Sequence, residues 1–231
     1  MKTVHTLRKI ALIGGIGYLI IFVTGIFANF FIIESLVIQD DAAATFMNIA
    51  GNLSQFRYGI LSFIIMVVFD LILTWALYLL FKPVDSNQAL ITAWFRLVNC
   101  TIFGIALFNL FDVLELTGSS SYLSNISQEY LQTEVMRSLS SFNYTWLIGL
   151  LFFGFHLLIL GGLTLKSKIV PKFIGYLLII GGLGYLTDSF AQFLMPNYKD
   201  YKSLFAMFVI IPGVVGELSL TVWLLVKGGK K

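Results

Sequence analysis

Charge is what this chain is short of. Only 12% of its 231 residues are Asp, Glu, Lys or Arg, where soluble domains carry about 25%. A water-exposed surface of this size cannot be covered with so few charges, so a soluble enzyme and a disordered chain are both excluded. Cysteine is nearly missing: Cys100 stands alone, which rules out an intramolecular disulfide and a Cys-rich metal site. Histidine is scarce too, with only His5 and His156. A metal site needs three or four ligands, and the one conceivable set, His156 with Asp70 and Glu217, has Arg96 beside it to oppose a cation. No metal and no cofactor is therefore expected. HExxH, GxSxG and phosphate-loop motifs are absent, as is the three-histidine pattern of ceramidase-like hydrolases. An enzymatic role stays open, with less in its favour than a non-enzymatic one.

Apolar residues are what the chain has: 58% hydrophobic, with a mean hydropathy of +0.90. The net charge of +3 is distributed along the chain and forms no basic patch, which excludes nucleic acid as a partner. Apolar stretches of about 20 residues suit a bilayer crossing. Six are present, at Ile10–Ile33, Arg57–Phe81, Asn87–Glu115, Asn143–Leu165, Val170–Phe193 and Leu204–Val226. The expectation is an all-α, polytopic membrane protein, a single six-helix domain over residues 1–231 with the lipid bilayer as its partner. The first run is too long for a signal-peptide core and reads as a retained anchor.

Lys and Arg in the loops set the orientation. One side carries Lys2, Arg8, Lys9, Lys82, Lys166, Lys168, Lys172, Lys227, Lys230 and Lys231. The other carries only Arg57, Arg137, Lys199 and Lys202, so both termini are expected in the cytoplasm. Two long outer loops show apolar stripes at helical spacing. One is Phe46, Ile49, Ala50, Leu53 and Phe56, after the capping residues Asp40 and Asp41; the other is Leu131, Val135, Leu139 and Phe142. Each predicts a short amphipathic helix that lies on the membrane, lids the bundle or packs its loop down. Glycines 14, 15, 17, 161, 162, 181, 182 and 184 are expected at helix contacts.

The polar residues inside the spans carry the functional reading. At 1.5 Å per residue, Asp70 lies about 18 Å from Lys82, His156 and Glu217 each about 15 Å from the lysine ending their span, and Arg96 about 14 Å inside Asn87. Four ionisable groups on four helices thus share one layer. Facing lipid, each would cost about 2.5–3.5 kcal/mol, so they are expected to face one another, with Asn99 as a neutral partner. The set is neutral with a protonated His156; with a neutral one it carries one negative charge, unless a carboxylate holds a proton. Either way it predicts coupled proton exchange. Pro212-Gly213 is expected to break the last span and free a carbonyl, as in many solute-binding membrane helices. A second group, Arg57, Asn109, Asp112, Glu115 and Asp188, reads as a vestibule or a polar rim, with Arg57 pairing one of the acids.

Several segments resemble a bacterial six-span membrane family, domain of unknown function 4386. They include Asp41-Ala42-Ala43-Ala44-Thr45, Phe56-Arg57, Leu79-Leu80-Phe81-Lys82-Pro83-Val84, Phe95-Arg96-Leu97, Gly154-Phe155-His156-Leu157-Leu158, Asp188-Ser189-Phe190-Ala191 and Gly216-Glu217-Leu218. The resemblance implies a helical protein of the bacterial cytoplasmic membrane that keeps Arg57, Asp70, Arg96, His156, Asp188 and Glu217; it implies no particular activity. The leading expectation is a buried polar site that binds or transports a small solute or ion with proton coupling. The alternatives are an intramembrane enzyme on a lipid-like substrate and a non-catalytic scaffold or partner subunit whose charges are structural.

Overall fold

The computed structural model describes residues 2–118 and 121–229, with the backbone alone at residues 2–5 and 210. Lys230 and Lys231, and the side chains of Lys2 and His5, lie outside the described residues. The described chain is helical: α1 (Lys2–Ile26), α2 (Ala42–Gly51), α3 (Leu53–Phe81), α4 (Ser86–Leu116), α5 (Gln128–Lys166), α6 (Lys172–Leu194) and α7 (Tyr198–Val226). Six segments are long and apolar enough to cross a membrane, the first running Thr6–Leu36 and the other five coinciding with α3 to α7. This is a multi-pass membrane protein.

Local chemistry sets the ends of these helices. Asp41 is the N-cap of α2, its carboxylate accepting from the Ala44 N–H at 2.8 Å. Asp40 before it takes φ +62°, a left-handed value that Asp tolerates better than most residues. Lys82-Pro83 follows the end of α3, and Asp85 accepts from the Gln88 N–H at 3.0 Å as α4 begins, the N-cap arrangement that satisfies an orphan donor. Pro171 caps α6, where a missing N–H costs nothing.

Three expectations need adjusting. The stripe from Leu131 to Phe142 is not a separate helix: α5 runs unbroken for 39 residues, because no Pro or Gly stands between that stripe and the span to stop propagation. The first span is longer than its apolar run suggests and passes through a π-helical segment, Phe27–Ile33. There the Phe31 carbonyl accepts from the Gln55 amide at 3.1 Å. Finally, Pro212-Gly213 does not break the last helix, which is continuous from Tyr198 to Val226 with Pro212 inside it. Pro212 does strip the Phe208 carbonyl of its helical donor. Gly184 sits against that carbonyl so closely that a Cβ would lie 2.5 Å from it; the freed group meets a packed neighbour rather than a cavity.

The chain divides into two compact units. One comprises the described residues of Met1–Leu19, Phe69–Thr101 and Leu147–Lys231. Its helices meet through glycine. A Cβ on Gly154 would stand 3.1 Å from the Gly182 carbonyl, and one on Gly161 2.7 Å from the Gly175 carbonyl. Seven residues up α5 thus match seven down α6, a close approach that only missing side chains allow. Gly181 meets Gly213, and Gly216 meets Leu177, across α6 and α7. Gly15 packs on Leu225, whereas Gly162, expected at a contact, has open space beside it. In the same unit the Arg8 guanidinium donates to the carbonyls of Leu224 (3.0 Å), Gly228 (2.9 Å) and Leu225. It caps the C-terminal end of α7, where a cation also suits the helix dipole.

The other unit comprises Ile20–Val68 and Ile102–Trp146. Its core includes Phe63, Phe142 and Trp146, with Phe103 stacked on Trp146 at 3.7 Å between ring centres. The expected short outer helix is present as α2, with Ile49 of its stripe fully buried, but it ends at Gly51; Leu53 and Phe56, expected in the same helix, open α3 instead, where Phe56 is fully buried. Thr45 ties it to Ile38, accepting from that residue's N–H at 2.9 Å and donating to its carbonyl at 3.0 Å.

Candidate functional site

The site lies in the first unit and is built on two antiparallel helices. Thr92 of α4 faces His156 of α5, and Asn99 of α4 faces Gly149 of α5. A step of seven residues along one helix is matched by seven back along the other. Thr92, Arg96 and Asn99 therefore share one stripe of α4, and Gly149, Phe153 and His156 one stripe of α5, at the three- and four-residue spacings that put side chains on a common face.

Arg96 is the centre. It is 1% exposed, and its Nε donates to Asp70 Oδ1 at 2.9 Å while Nη2 donates to the same oxygen. Its Nη1 lies 2.9 Å from His156 Nε2. Its carbon centre stands 5.3 Å from the Tyr18 ring and 5.4 Å from the Phe153 ring, within range of cation–π attraction. A guanidinium has only donors to offer, so His156 Nε2 must accept and carries no proton. The ring proton then sits on Nδ1, which donates to the Thr92 carbonyl at 2.9 Å; the Thr92 hydroxyl donates back to the His156 carbonyl at 2.9 Å. Of the two charge states open from sequence, the hydrogen bonds select the neutral imidazole.

Glu217 differs from this closed set. Among the described residues the ion pairs are Arg96–Asp70, Arg137–Glu134 and Lys166–Asp85; Glu217 is in none of them, and its carboxyl takes no hydrogen bond there. It is 7% exposed, more than Arg96, His156 or Asp70. Arg96 and Asp70 are its electrostatic neighbours, as is Tyr18. Asp70-Leu71-Ile72-Leu73-Thr74 and Glu217-Leu218-Ser219-Leu220-Thr221 are alike in sequence, and they are alike in geometry too. In each, the threonine four residues on donates to the acid's backbone carbonyl, at 2.8 Å and 2.7 Å.

Asn99 is not a partner of the charges. Its Nδ2 donates to the Gly149 carbonyl at 3.0 Å, and its fully buried Oδ1 has no hydrogen-bond partner among the described residues. Sequence reasoning did not find Tyr18, Thr92, Phe153 or Tyr185 (whose ring meets Phe153 edge-on at 5.2 Å), because uncharged residues in an apolar span give no signal. Among the described residues no three of His, Cys, Asp and Glu converge to hold a metal ion.

The second predicted group does not act as one cluster. Arg57 and Asp112 are exposed, and Arg57 is in no ion pair among the described residues; a surface guanidinium gains little by pairing. Asn109 donates to the Ala106 carbonyl of its own helix at 3.2 Å, and Glu115 accepts from the Tyr122 hydroxyl. Arg57, Asn109, Asp112 and Glu115 belong to the second unit, whereas Asp188 belongs to the first and accepts from Tyr198 Oη at 2.6 Å and Gln192 Nε2 at 2.8 Å.

Comparison with known proteins adds a family and a relative. A family model described as a domain of unknown function (DUF4386) matches residues 13–228. An uncharacterised protein of the archaeon Archaeoglobus fulgidus is 30% identical over 179 residues, 78% of this chain and 89% of the relative. No solved structure matches.

Proposed function

The chain belongs to the DUF4386 family of membrane domains, and from that premise we propose that it binds a small solute or ion inside the bundle and exchanges a proton through Glu217. The observation behind this reading is the contrast between Glu217 and its neighbours. Arg96, Asp70 and neutral His156 balance one another's charge and hydrogen bonds, which leaves Glu217 as the buried acid with a free valence. A charged group inside a membrane that is not consumed by pairing is a functional candidate. Asn99, with an unused buried acceptor, is a second ligand-facing group. The loop bases favour a cytoplasmic-membrane location with both termini inside.

The closed network favours a second, structural reading for Asp70, Arg96 and His156: they hold α3, α4 and α5 in register around the site. Proteoliposomes loaded with a pH-sensitive dye separate the roles. Wild-type vesicles, offered a panel of inorganic cations and small organic ions, are expected to show an ion-dependent change in lumenal pH that Glu217→Gln abolishes while the variant still folds. Wild-type vesicles inert to the whole panel, or an equal response from Glu217→Gln, would remove Glu217 from this role.

A further inference from the structure

We propose that the ion exchanged at Glu217 is a monovalent cation, taken up one for one against the proton, an inference that rests on Glu217 being the proton-exchanging group. Among the described residues, the buried Asp, Glu, Arg and His side chains are Asp70, Arg96, His156 and Glu217. Arg96 and Asp70 cancel each other, since the guanidinium Nε donates to Asp70 Oδ1 at 2.9 Å. His156 is neutral: its Nε2 accepts from Arg96 Nη1 at 2.9 Å, and its Nδ1 donates to the Thr92 carbonyl at 2.9 Å. An ionised Glu217 therefore leaves the interior of this unit with a single negative charge. Glu217 is in no ion pair among the described residues, so no side chain there removes that charge.

An uncompensated charge is what a membrane interior tolerates least. One proton on Glu217 removes it, and so does one monovalent cation against the carboxylate. A divalent cation would leave the interior positive, and a monovalent anion would double its negative charge. Divalent ions also call for about six or more oxygen ligands, and among the described residues no three of His, Cys, Asp and Glu converge. The packing of α6 on α7 supplies a surface suited to a monovalent ion. The Tyr185 ring rests on Gly213, where an added Cβ would be 3.2 Å from its Cε2. Glu217 lies four residues further along α7 and leaves it on nearly the same face, toward the side of α6 that carries this ring. Tyr185 in turn meets Phe153 edge-on at 5.2 Å, and aromatic faces attract cations. The titratable and charged groups around Glu217 are Tyr18 of α1, Asp70 of α3, Arg96 of α4 and Tyr185 of α6, with neutral His156 from α5. In the exchange the carboxyl O–H bond breaks, its proton leaves for the solvent, and the cation takes its place on the carboxylate. One positive charge replaces another, so the cycle carries no net charge across the membrane.

Wild-type proteoliposomes containing the full chain and a lumenal pH dye test the charge of the ion without depending on any variant. They are given the chlorides of lithium, sodium, potassium, rubidium and caesium, then those of magnesium and calcium, and finally the gluconate of each monovalent cation that acts. At least one monovalent salt is expected to make the lumen alkaline, equally as chloride or gluconate, while magnesium and calcium do nothing. The same vesicles on a solid-supported membrane are expected to give no charge-translocation current. A roughly tenfold cation gradient is expected to be balanced by about one pH unit of the same sense. Glu217→Gln is expected to reduce the response to that of protein-free vesicles. A pH response to a divalent cation, one that follows the anion, or one accompanied by current overturns the monovalent exchange while leaving Glu217 as the proton group. A balance point at about half a pH unit means two protons per cation and overturns the one-for-one count. A wild-type protein that moves no protons with any of these salts removes the proton-exchange reading itself, and this inference with it.

Discussion

Arg96 carries a full charge at 1% exposure, and its tolerance depends on each of its faces finding a partner. Removing one side of a buried ion pair leaves the other charged and alone, which costs about 3–5 kcal/mol, whereas replacing both by apolar groups is often neutral. Arg96→Met alone is therefore expected to lower stability by about 3–5 kcal/mol in thermal unfolding in detergent micelles. Arg96→Met combined with Asp70→Leu is expected to recover most of that loss; if the double variant is as unstable as the single, the pair is not the unit that matters. The charges themselves were legible in the sequence, since an ionisable residue in an apolar run stands out and the 1.5 Å rise puts it at a depth. Which charge pairs with which was not. Asp70 and Glu217 look alike in a string of letters, and only the helix faces decide that Arg96 takes Asp70 and leaves Glu217 aside. Tyr18 and Phe153 were invisible for a different reason: as π faces for a guanidinium they have the same composition as ordinary lipid-facing aromatics.

At the scale of elements, helix contacts are set by where side chains are missing. A Cβ at Gly181 would come within 2.7 Å of the Gly213 backbone, which cannot yield as a flexible side chain can. Gly181→Ala is expected to cost about 1–3 kcal/mol through overpacking. Gly162→Ala, with nothing within 4 Å of the added atom, is expected to gain about 0.5–1 kcal/mol in helix preference. Chemical denaturation of the two variants side by side checks the difference. Glycine-rich spans announce contacts, but the sequence does not say which of two adjacent glycines turns inward; Gly161 and Gly162 differ only by the 100° between successive residues. The Asp85 carboxylate joins elements by another means. The Gln88 N–H and Lys166, at 3.0 Å, hold its pKa below the ordinary 3.8. A depressed pKa stabilises the fold in full above the unfolded value and loses that contribution as pH falls through the folded one. Asp85→Asn is thus expected to lower the melting temperature at neutral pH, with the gap from wild type closing in acid below 3.8. A gap that persists unchanged there would assign the effect to lost geometry instead of lost charge.

For the molecule as a whole, six apolar stretches and their loops were readable because hydropathy over about 20 residues is insensitive to local detail. The π-helical segment in the first span and the unbroken 39-residue α5 were not, since neither has a composition of its own. Nor was the role of Arg8, which counts as one more loop base in a charge tally yet holds three carbonyls at the end of α7. Arg8→Leu is expected to cost up to about 2 kcal/mol, the upper range for a cation at a helix C-terminus, and to speed hydrogen exchange of amides in the last turn of α7 ahead of the rest of the molecule. Uniform exchange throughout would show that the cap is local decoration.

The paired seven-residue steps between α4 and α5 also constrain how this protein can move. Sliding one helix past the other by a single turn would pull Thr92 off His156 and Asn99 off Gly149 together, and no intermediate offset remakes either bond. Along this stretch the two helices are geared, and a slip between them forfeits both bonds at once.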